Sequence, residues 1–467
     1  MNKKYFALIF LLLSILSVLS VQATPARPNI IIILADDLGY GDLSIQGHPL
    51  IRTPTIDRLA REGQRWTSFY ASAPICNPSR VALMTGRMPI RIHQNGKNQW
   101  QTMPASEVTL GELLKNEGYA TGYIGKWGIT NFEQGLHPNE QGFDYFYGLP
   151  GSNDPLPEGM ARTYENVKNA ESNVFPTALY RQREIIETPA EQSTLTKRYT
   201  EESVKWINAH KDGPFLLYLA HTMPHVPIFA SSDFQGSSKA GLYGDVIEEL
   251  DWSVGQVLKV LEKAGLADNT LIFISSDNGP WLTYYDLGGS PGLLRDGKMT
   301  SWEGGFRVPG IFWWPGKIKP GVIDGIGVNV DLMSTIATLT DAPLPSGKQY
   351  DSIDLSPTLL NGQPSPRNEW FFYAPTGNLW AARKGDYKLV YESQESIGKD
   401  NITNETTEES FLADRGYGNH KTYDPPLLFD LTTDISERLD ISDQNPNVVM
   451  EIQQAVDMHR RTLSEHK

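Results

Sequence analysis

The sequence predicts an α/β fold: a mostly parallel central sheet sandwiched by helices, followed by a smaller C-terminal α+β domain. Three observations predict it. Four apolar runs, at residues 30–35, 215–220, 271–274 and, shorter, 120–124, have the length and composition of strands buried on both faces. Helical patterns fit between them. Each run also ends in polar residues of catalytic type: Asp36-Asp37, Gly125-Lys126-Trp127, His221 with His225, and Ser275-Ser276-Asp277-Asn278-Gly279. Open α/β sheets bind ligands outside the carboxyl ends of their strands. All four runs should therefore deliver these groups to one edge of one sheet.

The chain opens with Lys3-Lys4 and an apolar run from Phe6 to about Val21, ending in Val21-Gln22-Ala23. The run is short for a spanning helix and follows a basic start, so residues 1–23 read as a secretory signal peptide. That address is periplasmic or secreted, with no stable membrane insertion after cleavage. No cysteine follows the run to carry a lipid.

Residues 24–341 read as the larger domain. Helices at 55–62 and 108–117 stop at Gly63 and Gly118. The clearest helix is 245–264, where Val246, Leu250, Val254, Val257 and Leu261 recur at helical spacing before Gly265. Residues 151–194 lack clear periodicity and read as a substrate-side excursion. Past Asp341, Pro343, Pro345 and Gly347 mark a boundary. In 342–467, residues 370–373, 379–383 and 387–391 read as short strands, 401–417 as a polar loop, and 448–463 as a closing helix. There is no internal repeat.

The formal charge of −14 argues against a nucleic-acid or general polyanion binder. Any anionic substrate needs positive charge concentrated at one site. Cys76 is the only cysteine, so stability cannot rest on disulfides. It opens Cys76-Asn77-Pro78-Ser79-Arg80, followed by Val-Ala-Leu-Met-Thr85-Gly86. Asn77 suits an N-cap, Pro78 the first helical position, and Gly86 the stop. Cys76 should then lie just before a helix N-terminus, where backbone N–H groups favour an anion. Arg80, about one turn in, adds fixed positive charge. Asp36, Asp37, Asp277 and Asn278 offer hard oxygen ligands from two strand ends, a set that suits calcium or magnesium better than zinc. The bland alternative is that these acids cap helices or bind backbone N–H groups.

The stretch from Cys76 to Gly86 resembles the signature of the formylglycine-dependent sulfatases, Cys-x-Pro-Ser-Arg-x-x-x-(Leu/Met)-Thr-Gly. Matching segments run from about Asn29 to about Pro309 and look most like the arylsulfatase A branch. The resemblance implies a core of the alkaline phosphatase type and hydrolysis of sulfate esters. It implies that a maturation enzyme oxidises Cys76 to formylglycine (3-oxoalanine), whose hydrated aldehyde is the nucleophile. Asp36, Asp37, Asp277 and Asn278 match the doublets that bind calcium together with that residue. Lys126, in Gly125-Lys126-Trp127, and Lys298, in the segment Gly288 to Lys298 ahead of Trp302-Glu303-Gly304-Gly305-Phe306-Arg307, match cations that join Arg80 on the sulfate. His225, in Met223-Pro224-His225, matches a sulfate contact and candidate proton donor; His221 matches less well and reads as structural. Ser152, in Gly151-Ser152-Asn153-Asp154, matches a sulfate-contacting serine. One departure stands out: the family has histidine after Gly-Lys-Trp, and here the residue is Gly128. In relatives that histidine is thought to assist release of sulfate, so the usual elimination step is put in doubt. Family and export together point to a sulfated carbohydrate, most simply a polysaccharide-derived oligosaccharide. A phosphodiesterase or phosphonate hydrolase of the same superfamily, and a non-catalytic sulfoglycan-binding protein, are the other classes.

Overall fold

The computed structural model describes residues 27–92, 103–129, 132, 136–398 and 415–464. The expected signal peptide, and most of the expected polar loop at 401–417, lie outside the described residues. Ten strands form the main sheet: β1 Asn29–Ala35, β2 Gln64–Tyr70, β3 Ala120–Gly125, β4 Tyr145–Gly148, β5 Leu179–Arg181, β6 Glu184–Glu187, β7 Phe215–Ala220, β8 Thr270–Ser276, β9 Gly310–Trp313 and β10 Gly321–Val328. Their order is β10-β2-β9-β8-β1-β7-β3-β4-β5-β6. The four apolar runs are the adjacent strands β8, β1, β7 and β3, all mutually parallel. In register, Ile32 lies between Tyr218 of β7 and Phe273 of β8.

A strand turns alternate side chains to opposite faces, so one continuous apolar run feeds two cores. Ile31, Ile33 and Ala35 pack with Leu59, Tyr199, Leu250 and Val254 from the helices Pro54–Glu62, Leu195–Ala209 and Gly241–Ala264. Ile30, Ile32 and Leu34 pack with Val81, Leu113 and Met333 from the helices Cys76–Thr85, Leu110–Asn116 and Leu332–Thr340. Helix Gly241–Ala264 ends at Gly265, whose φ of 69° and N–H bonds to Leu261 and Glu262 carbonyls close it. Residues 151–194 are not wholly irregular: they hold β5, β6 and the short helix Tyr164–Lys168.

A second sheet of four antiparallel strands follows, β11 Glu369–Tyr373, β12 Leu379–Lys384, β13 Tyr387–Ser396 and β14 Tyr417–Asp430, in that order. Helix Pro446–Ser464 covers it through Ile452, Ala455 and Val456. Tyr70, Trp302 and Phe306 of the first part share a core with Trp370, Phe372, Leu389 and Phe429 of the second.

A buried ion cluster crosses this junction. Lys388 Nζ lies 3.0 Å from Glu303 Oε1 and 2.9 Å from Glu437 Oε1, and none of the three is exposed. Burial alone would raise the Glu303 carboxyl; Lys388, then Arg307 and Arg383, outweigh it and hold it at about 2. Its stabilising contribution is thus complete above its ordinary value of 4.5 and is lost as pH falls towards about 2. Removing one member of such a cluster strands uncompensated charge. Lys388→Met should lose about 3–5 kcal/mol in equilibrium urea unfolding, and wild-type stability would show that the cluster does not hold the two sheets together.

Candidate active site

The carboxyl ends of β8, β1, β7 and β3 meet at one edge of the main sheet, and helix Cys76–Thr85 points its first turn at the same place. Asp36 and Asp37 leave β1 through a left-handed residue, Asp37, with φ 66°. Its backbone N–H donates to Asp277 Oδ1 at 3.2 Å, which ties the end of β1 to the end of β8. The helix begins two residues earlier than its sequence suggests. Ile75 is the extended residue before it, Cys76 is the first helical residue, and no side chain caps it. Asn77 turns its amide away to donate to the Ile129 carbonyl at 3.2 Å, and so anchors the segment after Lys126 instead of capping. Gly86 ends the helix at φ 70°.

Three cations and three carboxylates are buried together. Arg80 Nε donates to Asp277 Oδ2 at 2.7 Å, and its Nη1 donates to the Lys126 carbonyl at 3.0 Å. Lys126 Nζ lies 2.5 Å from Asp36 Oδ2. Lys298 Nζ donates to both oxygens of Asp37, at 2.7 and 2.8 Å. Asn278 Nδ2 donates to Asp37 Oδ1 at 2.7 Å. The charges balance in number, yet two buried oxygens, Asp36 Oδ1 and Asn278 Oδ1, have no hydrogen-bond partner. Ligand atoms of Asp36, Cys76 and Asp277 lie within 4.8 Å of one another, as do those of Asp36, Asp37 and His225. Orphaned hard oxygens amid converging carboxylates fit a divalent cation. Burial, then Asp277, pushes the Asp36 carboxyl up to about 7, against Lys126 and Arg80. Burial also opposes ionisation of Asp277, but Arg80, Lys126 and Lys298 outweigh it and hold that carboxyl below its usual range.

Cys76 is half-buried. Burial pushes its thiol up despite Lys126 and Lys298, so the reactive thiolate is scarce at neutral pH. His225 is buried. Its Nδ1 meets Asn153 Oδ1 at 3.0 Å, while Nε2 lies 3.4 Å from Ser152 Oγ and 3.7 Å from Asp37 Oδ2. The Asn153 amide nitrogen is itself donated to Gln192 Oε1 and the Pro227 carbonyl, which fixes its oxygen towards the histidine. Burial, then Lys298 and Lys126, holds His225 well below its ordinary value. His221 points elsewhere, with Nε2 3.2 Å from Ser253 Oγ, and burial lowers it to about 3.

Two residues that sequence reasoning left without a role stand beside these groups. Asn153 orients His225. Trp281 places its ring 4.3 Å from Lys298 Nζ and 5.2 Å from the His225 ring. Both lay within reach of a motif: Asn153 beside Ser152, and Trp281 three residues past Asn278. Gly128 has φ 59°, and a Cβ there would lie 3.0 Å from Lys126 Cε. A side chain at 128 would press on the lysine that faces Asp36.

Comparison with known proteins matches this geometry. The family model "Sulfatase" matches residues 28–342, and that of the "C-terminal region of aryl-sulfatase" matches 365–467. Arylsulfatase A of Bos taurus is 37% identical over 449 residues, covering 93% of this chain and 87% of its own. The PsFucS1 sulfatase from Pseudoalteromonas sp. superposes with a TM-score of 0.80 at 30% identity, covering 94% of this chain and 91% of that one. The Ps i-CgsB structure in complex with k-i-k-neocarrahexaose gives a TM-score of 0.74 at 28% identity, covering 92% of each chain. On the strength of both family matches and of relatives similar over nearly its whole length, the chain belongs to the sulfatase family.

Proposed function

We propose that this sulfatase removes sulfate from a sulfated carbohydrate, an oligosaccharide derived from a polysaccharide, with Cys76 converted to formylglycine and a calcium ion at the acidic cluster. The observation that carries the reading is the convergence of Arg80, Lys126 and Lys298 with Asp36, Asp37, Asp277 and Asn278 around residue 76. The hydrated aldehyde at 76 supplies an oxygen nucleophile, and the ion supplies a Lewis-acid contact for the sulfate. The chain's own groups do the rest. Arg80, locked by Asp277 and the Lys126 carbonyl, sets fixed positive charge beside residue 76. Lys126 and Lys298 face the non-bridging oxygens as charge grows in the transition state, without any reorganisation. Ser152 and His225 line the leaving-group side. The carbohydrate class is supported by the oligosaccharide in the Ps i-CgsB complex. The remaining parts of the reading are a signal peptide at 1–23, export to the periplasm or beyond, a division at 341/342, and maturation by a formylglycine-generating enzyme. Among the described residues no helix is long and apolar enough to cross a membrane.

The test is sulfate release across a panel of defined sulfated oligosaccharides, each paired with its phosphate ester. Turnover of the sulfates is expected. Faster turnover of the phosphates would make the protein a phosphate or phosphonate ester hydrolase. The metal is tested separately. Exhaustive chelation should abolish turnover and calcium should restore it. Asp277→Ala should lose both bound metal and rate, because the cation's charge sets the local electrostatics. Full activity in metal-free protein, confirmed by elemental analysis, would remove calcium from the reading.

A further inference from the structure

We propose that Tyr164 and Tyr285 form a sugar-binding subsite beside the sulfate centre, taking a pyranose ring of the chain that bears the ester. The proposal rests on the carbohydrate reading above. Tyr285 is a bulky residue with φ 52° and ψ −118°, a conformation that L side chains rarely adopt, and 41% of it is exposed. The ring lies over Gly398 and keeps an exposed side. Residues held in such conformations cluster at ligand sites, where the surrounding structure holds them in place. Tyr164 meets the Tyr285 ring edge-on, with centroids 5.3 Å apart at 83°. The Tyr164 hydroxyl is in turn anchored, donating to Asp286 Oδ1 at 2.5 Å and accepting from Lys168 Nζ at 2.6 Å. The two rings are therefore positioned, not loose.

Contacts link the pair to the sulfate centre. Trp281, beside Lys298 and His225, packs against Tyr284 with centroids 4.8 Å apart, and Tyr285 follows directly in the chain. On the other side, Arg162 donates to Asp154 Oδ2 at 2.6 Å and to the Asp154 carbonyl at 2.8 Å. Asp154 is two residues past Ser152, and Arg162 two before Tyr164. This part-buried carboxylate–guanidinium pair thus joins the chain segments that carry Ser152 and Tyr164. A pyranose asks for this combination: an apolar C–H face to lay on a ring, and hydroxyls to meet fixed charged donors and acceptors. An aryl sulfate has no second residue to reach this place.

The test compares kcat/KM of wild type, Tyr285→Gly and Tyr285→Phe. The substrates are nitrophenyl sulfate, monosaccharide sulfates, and sulfated carrageenan and glycosaminoglycan hexasaccharides. Glycine accepts the φ of 52°, so Tyr285→Gly removes the ring without disturbing the backbone. It should lower hexasaccharide turnover by about tenfold more than monosaccharide turnover, the scale of one stacked ring. Tyr285→Phe should stay within about twofold of wild type, because the stacking face survives. An equal loss of Tyr285→Gly on long and short substrates would overturn the subsite alone. Wild-type turnover of nitrophenyl sulfate with no sugar sulfate hydrolysed would overturn the carbohydrate reading and the subsite with it. If Tyr285→Gly does not share the wild-type melting transition, Tyr164→Leu serves as the second variant, with the same selective loss expected and the same equal loss overturning the subsite.

Discussion

Cys76→Ala should abolish sulfate release, by about 10⁴-fold or more, the scale on which enzymes lose rate when a nucleophile is removed. The same variant should melt with the wild type, since the side chain is small and half-buried. Co-expression with a maturation enzyme should produce a residue-76 peptide with the mass of the aldehyde in place of the thiol, and activity should scale with that converted fraction. Burial raises the Cys76 thiol against the pull of the two lysines nearby. A fully active protein carrying only unmodified cysteine would overturn the formylglycine mechanism.

What the sequence revealed, and what it hid, divides along one physical line. The runs that became β1, β3, β7 and β8 were legible because central parallel strands are buried on both faces and stay largely apolar, Thr121 of β3 being the one polar residue within them. Their polar ends were legible for the same reason: where burial stops, chemistry begins. The outer strands had no such signal. β2 carries the polar pairs Gln64-Arg65 and Thr67-Ser68 around Trp66, and β10 begins with five residues that are exposed or half-exposed, so neither reads as a continuous run. β14 opens on buried Tyr417 and Gly418 but then runs through the polar, exposed residues 419–422, and it is specified by its pairing with β13. The start of helix Cys76–Thr85 was misplaced because Asn77, a good cap by residue type, spends its amide on Ile129, fifty-two residues away. Partner choice over such distances is set by the assembled fold. Asn153 against His225, Trp281 against Lys298, and Lys388 between Glu303 and Glu437 are of the same kind.

His225→Ala should cut kcat/KM for a sugar sulfate by about two orders of magnitude more than for nitrophenyl sulfate, the usual size of a general-acid effect. A sugar alkoxide is a poor leaving group and needs a proton in the transition state; a nitrophenolate scarcely does. The structure shows what this role demands. Without substrate, burial, Lys298 and Lys126 keep His225 neutral. Asn153 Oδ1, whose amide partner is fixed by Gln192, holds the ring proton on Nδ1, so Nε2 is bare. A sulfate ester brings negative charge to that face and favours the imidazolium, with its second proton on Nε2 beside Ser152 and Asp37. The proton then points to the leaving-group side. Two further results follow. Sugar-sulfate kcat/KM should fall as pH rises, because a deprotonated Nε2 has nothing to donate, while nitrophenyl-sulfate turnover should keep a flatter profile. Asn153→Leu should reproduce part of the selective loss by freeing the ring, although Asn153 touches no reacting atom. The comparison must use kcat/KM, which reports the first irreversible step; with Gly128 in the place of the family's histidine, release of sulfate is a separate step that can limit kcat. Equal losses on both substrates would take the proton from His225 and leave it only a contact to the sulfate, with Lys298, already charged and 2.7 Å from Asp37, as the group that meets the departing oxygen.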